Sequence, residues 1–136
     1  MSENKKKLKI SIDMDGTLWQ NMAFFRELMK VMQGQGHEVG ILTGHGLQSE
    51  KPDIDLMIAR GFPKPDFWFG RAEEDLPYNG AVMKSRRILS ELIDYHYDDL
   101  DYGNPDTLRL FKEGLGNQMN RLIVVHWREP KGEHFE

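Results

Sequence analysis

Apolar residues alternate with polar ones over residues 8–12, where Leu8, Ile10 and Ile12 enclose Lys9 and Ser11. That two-residue period predicts a strand. A strand buried on both faces would be more uniformly apolar, which places Lys9 near the strand's start, where cover is incomplete. The period then changes. Met22, Phe25, Met29 and Met32 recur at spacings of three and four and predict a helix over residues 21–33, ended by Gly34 and Gly36. Residues 38–43, with Val39, Ile41 and Leu42, read as a second strand broken by Gly44-His45-Gly46. A helix follows over residues 53–60, with Pro52 near its start and Gly61 after its end. The two prolines of residues 62–66 require a turn or extended loop. Phe67-Trp68-Phe69 forms a short strand, and residues 71–79 a polar, acidic loop. A third helix is expected over residues 80–92, with Val82, Ile88, Leu89 and Leu92 as its apolar face. Tyr95-His96-Tyr97 is a short strand ended by Asp98-Asp99, and a polar loop with Gly103, Asn104 and Pro105 follows. Residues 122–127 form the last strong strand, and a polar tail closes the chain.

Strands alternating with helices imply an α/β fold with a central parallel sheet and crossover helices. With 136 residues the chain fits a single domain, 1–136, flanked by a basic lead-in at 1–7 and the polar tail at 129–136. No internal repeat or long linker divides it. The absence of cysteine excludes disulfides, thiolate metal sites and a cysteine nucleophile, and accords with a reducing, cytoplasmic setting. A net charge of −4 argues against a dedicated nucleic-acid binder. No apolar run approaches membrane-spanning length. Lys5, Lys6 and Lys7 lack the long apolar core of a signal peptide behind them and read as a solvated lead-in.

Ligands bind beyond the carboxyl ends of parallel strands, so the residues there carry the candidate chemistry. Asp13-Met14-Asp15-Gly16-Thr17 leaves the first strand. Two carboxylates one residue apart can divide the work: Asp13 can attack a phosphorus atom. Asp15 can protonate the leaving oxygen and then deprotonate water. Gly16 permits a sharp turn and Thr17 can tie it down. A calcium loop starting at Asp13 fails, because its fifth, sixth and twelfth positions are Thr17, Leu18 and Phe24. Thr43 and Gly44, at the end of the second strand, can offer a hydroxyl and a backbone N–H to phosphate oxygens. Lys84, near the start of the third helix, can neutralise the phosphate, with Arg86 and Arg87 as rivals for that role. Asp98 and Asp99 suit magnesium, with Asp13 and the Asp15 carbonyl as further oxygens. Each piece alone also has a plainer reading. Asp13–Thr17 could be an acidic turn, Thr43 a turn residue and Lys84 a solvated lysine, and the many nearby acids could make an acidic surface.

Together the four pieces, in this order, resemble the haloacid-dehalogenase superfamily of phosphatases. Its motifs match Asp13-Met14-Asp15-Gly16-Thr17, Thr43, Lys84 and Asp98-Asp99, over residues 8–99. The resemblance implies a Rossmann-like three-layer α/β/α fold and the roles given above. It also implies Asp98 as the direct magnesium ligand and Asp99 as its support. Members that cleave carbon–halogen bonds lack the second acid of the first motif; with Asp15 present, phosphoryl transfer is favoured. The intervals between motifs leave no room for a substantial cap, which implies an open site for a large substrate or one closed by a partner.

The expected activity is magnesium-dependent hydrolysis of a phosphomonoester through an aspartyl-phosphate on Asp13. The substrate class is a phosphorylated small molecule or nucleotide, with a phosphorylated nucleic-acid end also open. Two alternatives stand beside it: a non-catalytic module that binds metal or a partner, and a phosphotransferase. Trp19, Trp68 and Phe69 are expected in the core rather than at the rim, and His45 at the rim of the site. A homo-oligomer stays open. Glu73, Glu74 and Asp75 would repel phosphate if they lay beside it.

Overall fold

Five short strands form one parallel sheet in the order β3-β2-β1-β4-β5. The computed structural model describes residues 6–126. Residues 1–5 and 127–136 lie outside that range, and with them Lys5, Trp127 of the expected last strand and the tail at 129–136. The strands are β1 (Lys9–Ile12), β2 (Glu38–Gly46), β3 (Trp68–Arg71), β4 (Tyr95–Asp98) and β5 (Leu122–Val124). The helices are α1 (Met22–Gly34), α2 (Glu50–Ala59), α3 (Gly80–Ser90), a four-residue turn α4 (Leu100–Gly103) and α5 (Pro105–Leu115). Helices flank the sheet on both sides, so the expected Rossmann-like three-layer α/β/α architecture is what the chain adopts.

Strand periodicity divides the core in two. On one side Ile10, Ile12, Val39 and Ile41 of the sheet meet Met22, Phe25 and Met29 of α1 and Met57 of α2. On the other side Leu42, Ile93 and Leu122 meet Ala81, Met83 and Ile88 of α3 and Phe111 and Leu115 of α5. Trp19 and Trp68 belong to the first cluster, as expected, while Phe69 packs half-buried against the second. Lys9 stands half-buried at the start of β1, its ammonium 5.3 Å and 5.4 Å from the ring centroids of Phe67 and Phe69.

Several local expectations change. The second strand is not broken by Gly44-His45-Gly46 but runs to Gly46, and the last strand ends at Val124. The stretch after Asn104 is α5, not a loop: Asn104 caps it by accepting from Asp106 N–H, and Pro105 starts it. The buried residues of α3 are Ala81, Met83, Ser85 and Ile88, and the helix stops at Ser90, leaving Leu89 and Leu92 exposed. At Ser85 the side chain is small because α5 comes close. A Cβ added at Gly114 would lie 2.6 Å from the Cβ of Ser85. Finally, α2 begins at Glu50, three residues before the expected start, with Pro52 inside its first turn, where no N–H partner is needed. Between Thr17 and Thr43 the added element is α1, and between Thr43 and Lys84 the added elements are α2, β3 and short turns, so among the described residues no cap domain covers the strand ends.

Candidate active site

The ends of β1, β2 and β4 and the first two turns of α3 bring the expected residues together around a cleft of about 350 Å³. Asp13, Asp15, Thr43, Gly44, Lys84, Asp98 and Asp99 all line it. Asp13 is the first residue past β1, and its N–H donates to the Tyr97 carbonyl at 2.9 Å, which ties it to β4. The chain then makes a wide turn over Met14–Leu18, closed by Leu18 N–H donating to the Asp13 carbonyl at 3.1 Å and Trp19 N–H to that of Met14 at 3.2 Å. Gly16 enables this turn. Its φ is 81°, and a Cβ there would collide with the Asp99 carboxylate.

Asp13, Asp98 and Asp99 are buried, and one oxygen from each lies within 4.8 Å of the others. Three carboxylates so close need compensation. Part comes from Lys84, whose ammonium donates to Asp13 Oδ1 at 2.7 Å and to Asp98 Oδ2 at 2.9 Å. The rivals are occupied elsewhere: Arg87 pairs with Asp75 at 2.9 Å, and the Arg86 guanidinium lies 4.5 Å from the Tyr78 ring centroid. Asp75, from the acidic loop, thus faces Arg87 and does not line the cleft. The Thr17 hydroxyl lies 3.0 Å from both Asp13 Oδ2 and Asp99 Oδ1, and it accepts from Asp99 N–H at 3.0 Å.

The charge balance leaves its mark on acidity. Burial raises the Asp13 carboxyl to about 8; Lys84 opposes the rise, while Asp98 and Asp99 add to it. Burial also works to raise Asp98, but Lys84 and His96 bring it well below the ordinary carboxylate value. For Lys84, Asp13 and Asp98 outweigh burial and hold the ammonium above the usual lysine value. Metal fit follows from the donor set. Three hard oxygen donors converge with too little positive charge among them, which suits a divalent cation held by carboxylates.

Several contributors were not singled out from sequence. His96 donates to or accepts from Ser11 Oγ at 2.7 Å through Nδ1 and meets Asp98 Oδ2 at 2.8 Å through Nε2. Ser11 and His96 are register partners on adjacent strands, and His96 shares a strand face with Asp98 two residues on. That periodicity was available in the sequence. Burial holds the His96 imidazole below its usual pKa. Thr107 and Phe111, from the unforeseen α5, line the cleft. Asn104-Pro105 and the spacing of Leu108, Phe111 and Leu115 carried the signal for that helix.

Asp15 is placed differently from the other acids. Its side chain is 66% exposed, and its Oδ2 meets His45 Nε2 at 2.8 Å. His45 Nδ1 meets Asp53 Oδ2, on α2, at 2.9 Å. The bond to Asp15 is the main reason that the His45 imidazole is raised to about 9, against the effect of burial and with help from Asp53. His45 in turn holds Asp15 below the ordinary carboxylate range. Beyond Asp99 the chain enters α4, in which Leu100, Asp101 and Tyr102 all take positive φ. Left-handed backbone costs about 1–2 kcal/mol per residue. Hydrogen bonds hold it here. Leu100 N–H donates to Asp98 Oδ1 at 2.9 Å, Tyr102 N–H to Asp99 Oδ2 at 2.8 Å, and Gly103 N–H to the Asp99 carbonyl at 2.9 Å. The first two of these bonds also fix the Asp98 and Asp99 carboxylates.

No protein-family model matches this sequence, and no curated protein matches it. Among solved structures it is similar to a chain of the Pnkp1/Rnl/Hen1 RNA repair complex, with a TM-score of 0.65 and 16% sequence identity. The match covers 95% of this chain and 46% of that one, so this chain spans about half the length of its structural neighbour. At that identity the likeness concerns the fold. Among the described residues, no helix is long and apolar enough to cross a membrane.

Proposed function

We propose that this chain is a magnesium-dependent phosphomonoester hydrolase that works through an aspartyl-phosphate on Asp13. The observation that carries the reading is the position of Lys84, shared between Asp13 and Asp98 at the mouth of β1 and β4. A lysine there can neutralise a phosphate, and it opposes the burial that pushes the nucleophilic carboxylate toward its protonated form. The cleft holds five carboxylates, those of Asp13, Asp15, Asp98, Asp99 and Asp101, against Lys84 and His45. A phosphate dianion is repelled by that balance unless a divalent cation joins it. Asp13, Asp98 and Asp99, with the Asp15 carbonyl, would hold magnesium, which supplies positive charge to the phosphate oxygens.

The remaining chemistry belongs to the chain. An Asp13 oxygen forms a bond to phosphorus as the ester P–O bond breaks, and Asp15 gives its proton to the departing oxygen. Water then attacks the phosphorus of the aspartyl-phosphate, Asp15 takes the water's proton, and phosphate leaves with Asp13 regenerated. The His45 cation favours the base half of this cycle by keeping Asp15 ionised. A bound phosphate dianion pushes Asp15 the other way, toward the acid form that the first half needs. The Thr43 hydroxyl accepts from His45 N–H at 3.2 Å, which leaves its own proton for a phosphate oxygen. The Gly44 N–H lies beside it.

The open, uncapped cleft admits a large leaving group. The structural neighbour is part of an RNA repair complex, and a phosphorylated nucleic-acid end is the substrate class this reading favours, with a nucleotide as the second. The test is phosphate release from phosphomonoesters, including nucleotides and 3′- and 5′-phosphorylated oligonucleotides, with and without magnesium. Release that requires magnesium and disappears in Asp13→Asn is the expected result. A folded native chain that binds magnesium and releases nothing would turn the reading toward a non-catalytic module.

A further inference from the structure

Asp15 has to meet the leaving oxygen in one orientation, yet it stands on a turn with a side chain that is 66% exposed. An exposed aspartate left to itself samples several rotamers. The structure supplies a brace. Around residues 43–45 the β2–β3 register shifts: Leu42 is opposite Phe69, but Gly46 is opposite Arg71. Four steps along β2 therefore face two along β3. The three intervening residues, Thr43, Gly44 and His45, stand against Gly70 alone and line the cleft, as bulges beside sites commonly do. The bulge carries His45 Nε2 to 2.8 Å from Asp15 Oδ2, while Nδ1 is held at 2.9 Å by Asp53 Oδ2 from the first turns of α2.

We infer that His45, anchored by Asp53, is a positioning residue that holds the Asp15 carboxylate for proton transfer to the leaving oxygen. The inference rests on the phosphatase reading and deepens it. His45 takes Oδ2 of Asp15 and leaves Oδ1 for the substrate. Both ring nitrogens face carboxylate oxygens, so the ring cannot swing away without losing two hydrogen bonds at once. The three members, Asp15, His45 and Asp53, come from the turn after β1, the bulge of β2 and α2.

The role separates from general structural support through the leaving group. An alkyl phosphomonoester expels a poor leaving group and needs its proton; p-nitrophenyl phosphate expels a stable phenolate and hardly does. Misplacing a catalytic group by about 1 Å costs on the order of 100-fold. In His45→Ala, kcat/KM for the alkyl ester is expected to fall by about 30-fold or more, and for p-nitrophenyl phosphate by about threefold or less. In Asp53→Asn, which leaves the His45–Asp15 contact in place, a smaller loss with the same preference is expected. Added to Asp15→Asn, His45→Ala should have no further effect, because the group it positions is gone. Equal losses on both esters, or a full additional loss in the Asp15→Asn background, would overturn the inference while leaving the phosphatase reading intact. A native chain inactive on every monoester overturns both.

Discussion

Lys84 is the pivot of the charge balance, and replacing it tests the site without reference to any substrate. Lys84→Met keeps most of the aliphatic stem and removes the ammonium. Two buried ion pairs disappear, at 2.7 Å to Asp13 and 2.9 Å to Asp98, and the three side chains involved are 12%, 8% and 1% exposed. Removing one partner of a buried pair costs about 3–5 kcal/mol, because the other charge stays behind unpaired. The lower end applies here. Asp13 is already disposed to take up a proton, and it can relieve part of the loss by doing so. A cost of about 3 kcal/mol lowers the Tm of a chain this size by roughly 10 °C. The assay is thermal unfolding at neutral pH in a chelator, repeated with magnesium. In the chelator Lys84→Met should melt well below the native chain. With magnesium the gap should narrow, since a divalent cation binds the folded carboxylates and stabilises by about 2.7 kcal/mol at 100 times its Kd. A variant within about 0.5 kcal/mol of native in the chelator, the range of an ordinary surface substitution, would refute the reasoning that Lys84 compensates these carboxylates.

Further expectations follow from neighbouring groups. Asp13 has a folded pKa above its unfolded value, so the metal-free chain binds more protons folded than unfolded and loses stability as pH rises from about 4 to about 8. Asp13→Asn should therefore raise Tm in chelator at pH 8.5 while abolishing phosphate release; a lower Tm there would contradict the sign. His45 is also raised, to about 9. Its contribution is complete below its unfolded pKa of about 6.5 and fades as pH climbs through about 9, and a pH series of denaturant melts should show that slope vanish in His45→Asn. In Gly16→Ala the new Cβ meets the Asp99 carboxylate and φ is unfavourable. Weakened magnesium binding by calorimetry is expected, together with a stability loss of about 2 kcal/mol. Thr17→Val removes the hydroxyl shared by Asp13 and Asp99 and leaves the Asp99 N–H without its acceptor, at a cost of about 1–3 kcal/mol read from denaturant unfolding.

Much of the fold was legible because its signals are local. The period-two run ending at Ile12, the three-and-four spacing from Met22 to Met29, and the glycines around the end of α1 each depend on a few neighbouring residues, and the structure keeps them where the pattern puts them. The ends of these elements then fix the edge of the sheet at which Asp13, Thr43 and Asp98 emerge. What stayed hidden depends on packing between distant segments. The buried residues of α3 are Ala81, Met83, Ser85 and Ile88, with Ser85 tight against α5, and nothing within α3 announces that neighbour. The helix α5 itself is polar on its outer side, and its cap was masked by a loop-like composition.

The sequence by itself determined which residues could do the chemistry, since carboxylate pairs, a lysine and a threonine at strand ends are properties of residue type and order. Only the tertiary structure decided how charge is shared among them. Lys84, rather than Arg86 or Arg87, reaches Asp13 because of its angle on α3, and 71 residues separate the two. His45 became more than a rim residue because a bulge in β2 brought it between Asp15 and α2. Distances of this kind depend on how the elements pack, and electrostatic energy varies steeply with such distances and with burial. A sequence lists the charges; packing sets which of them touch and how much water remains between them.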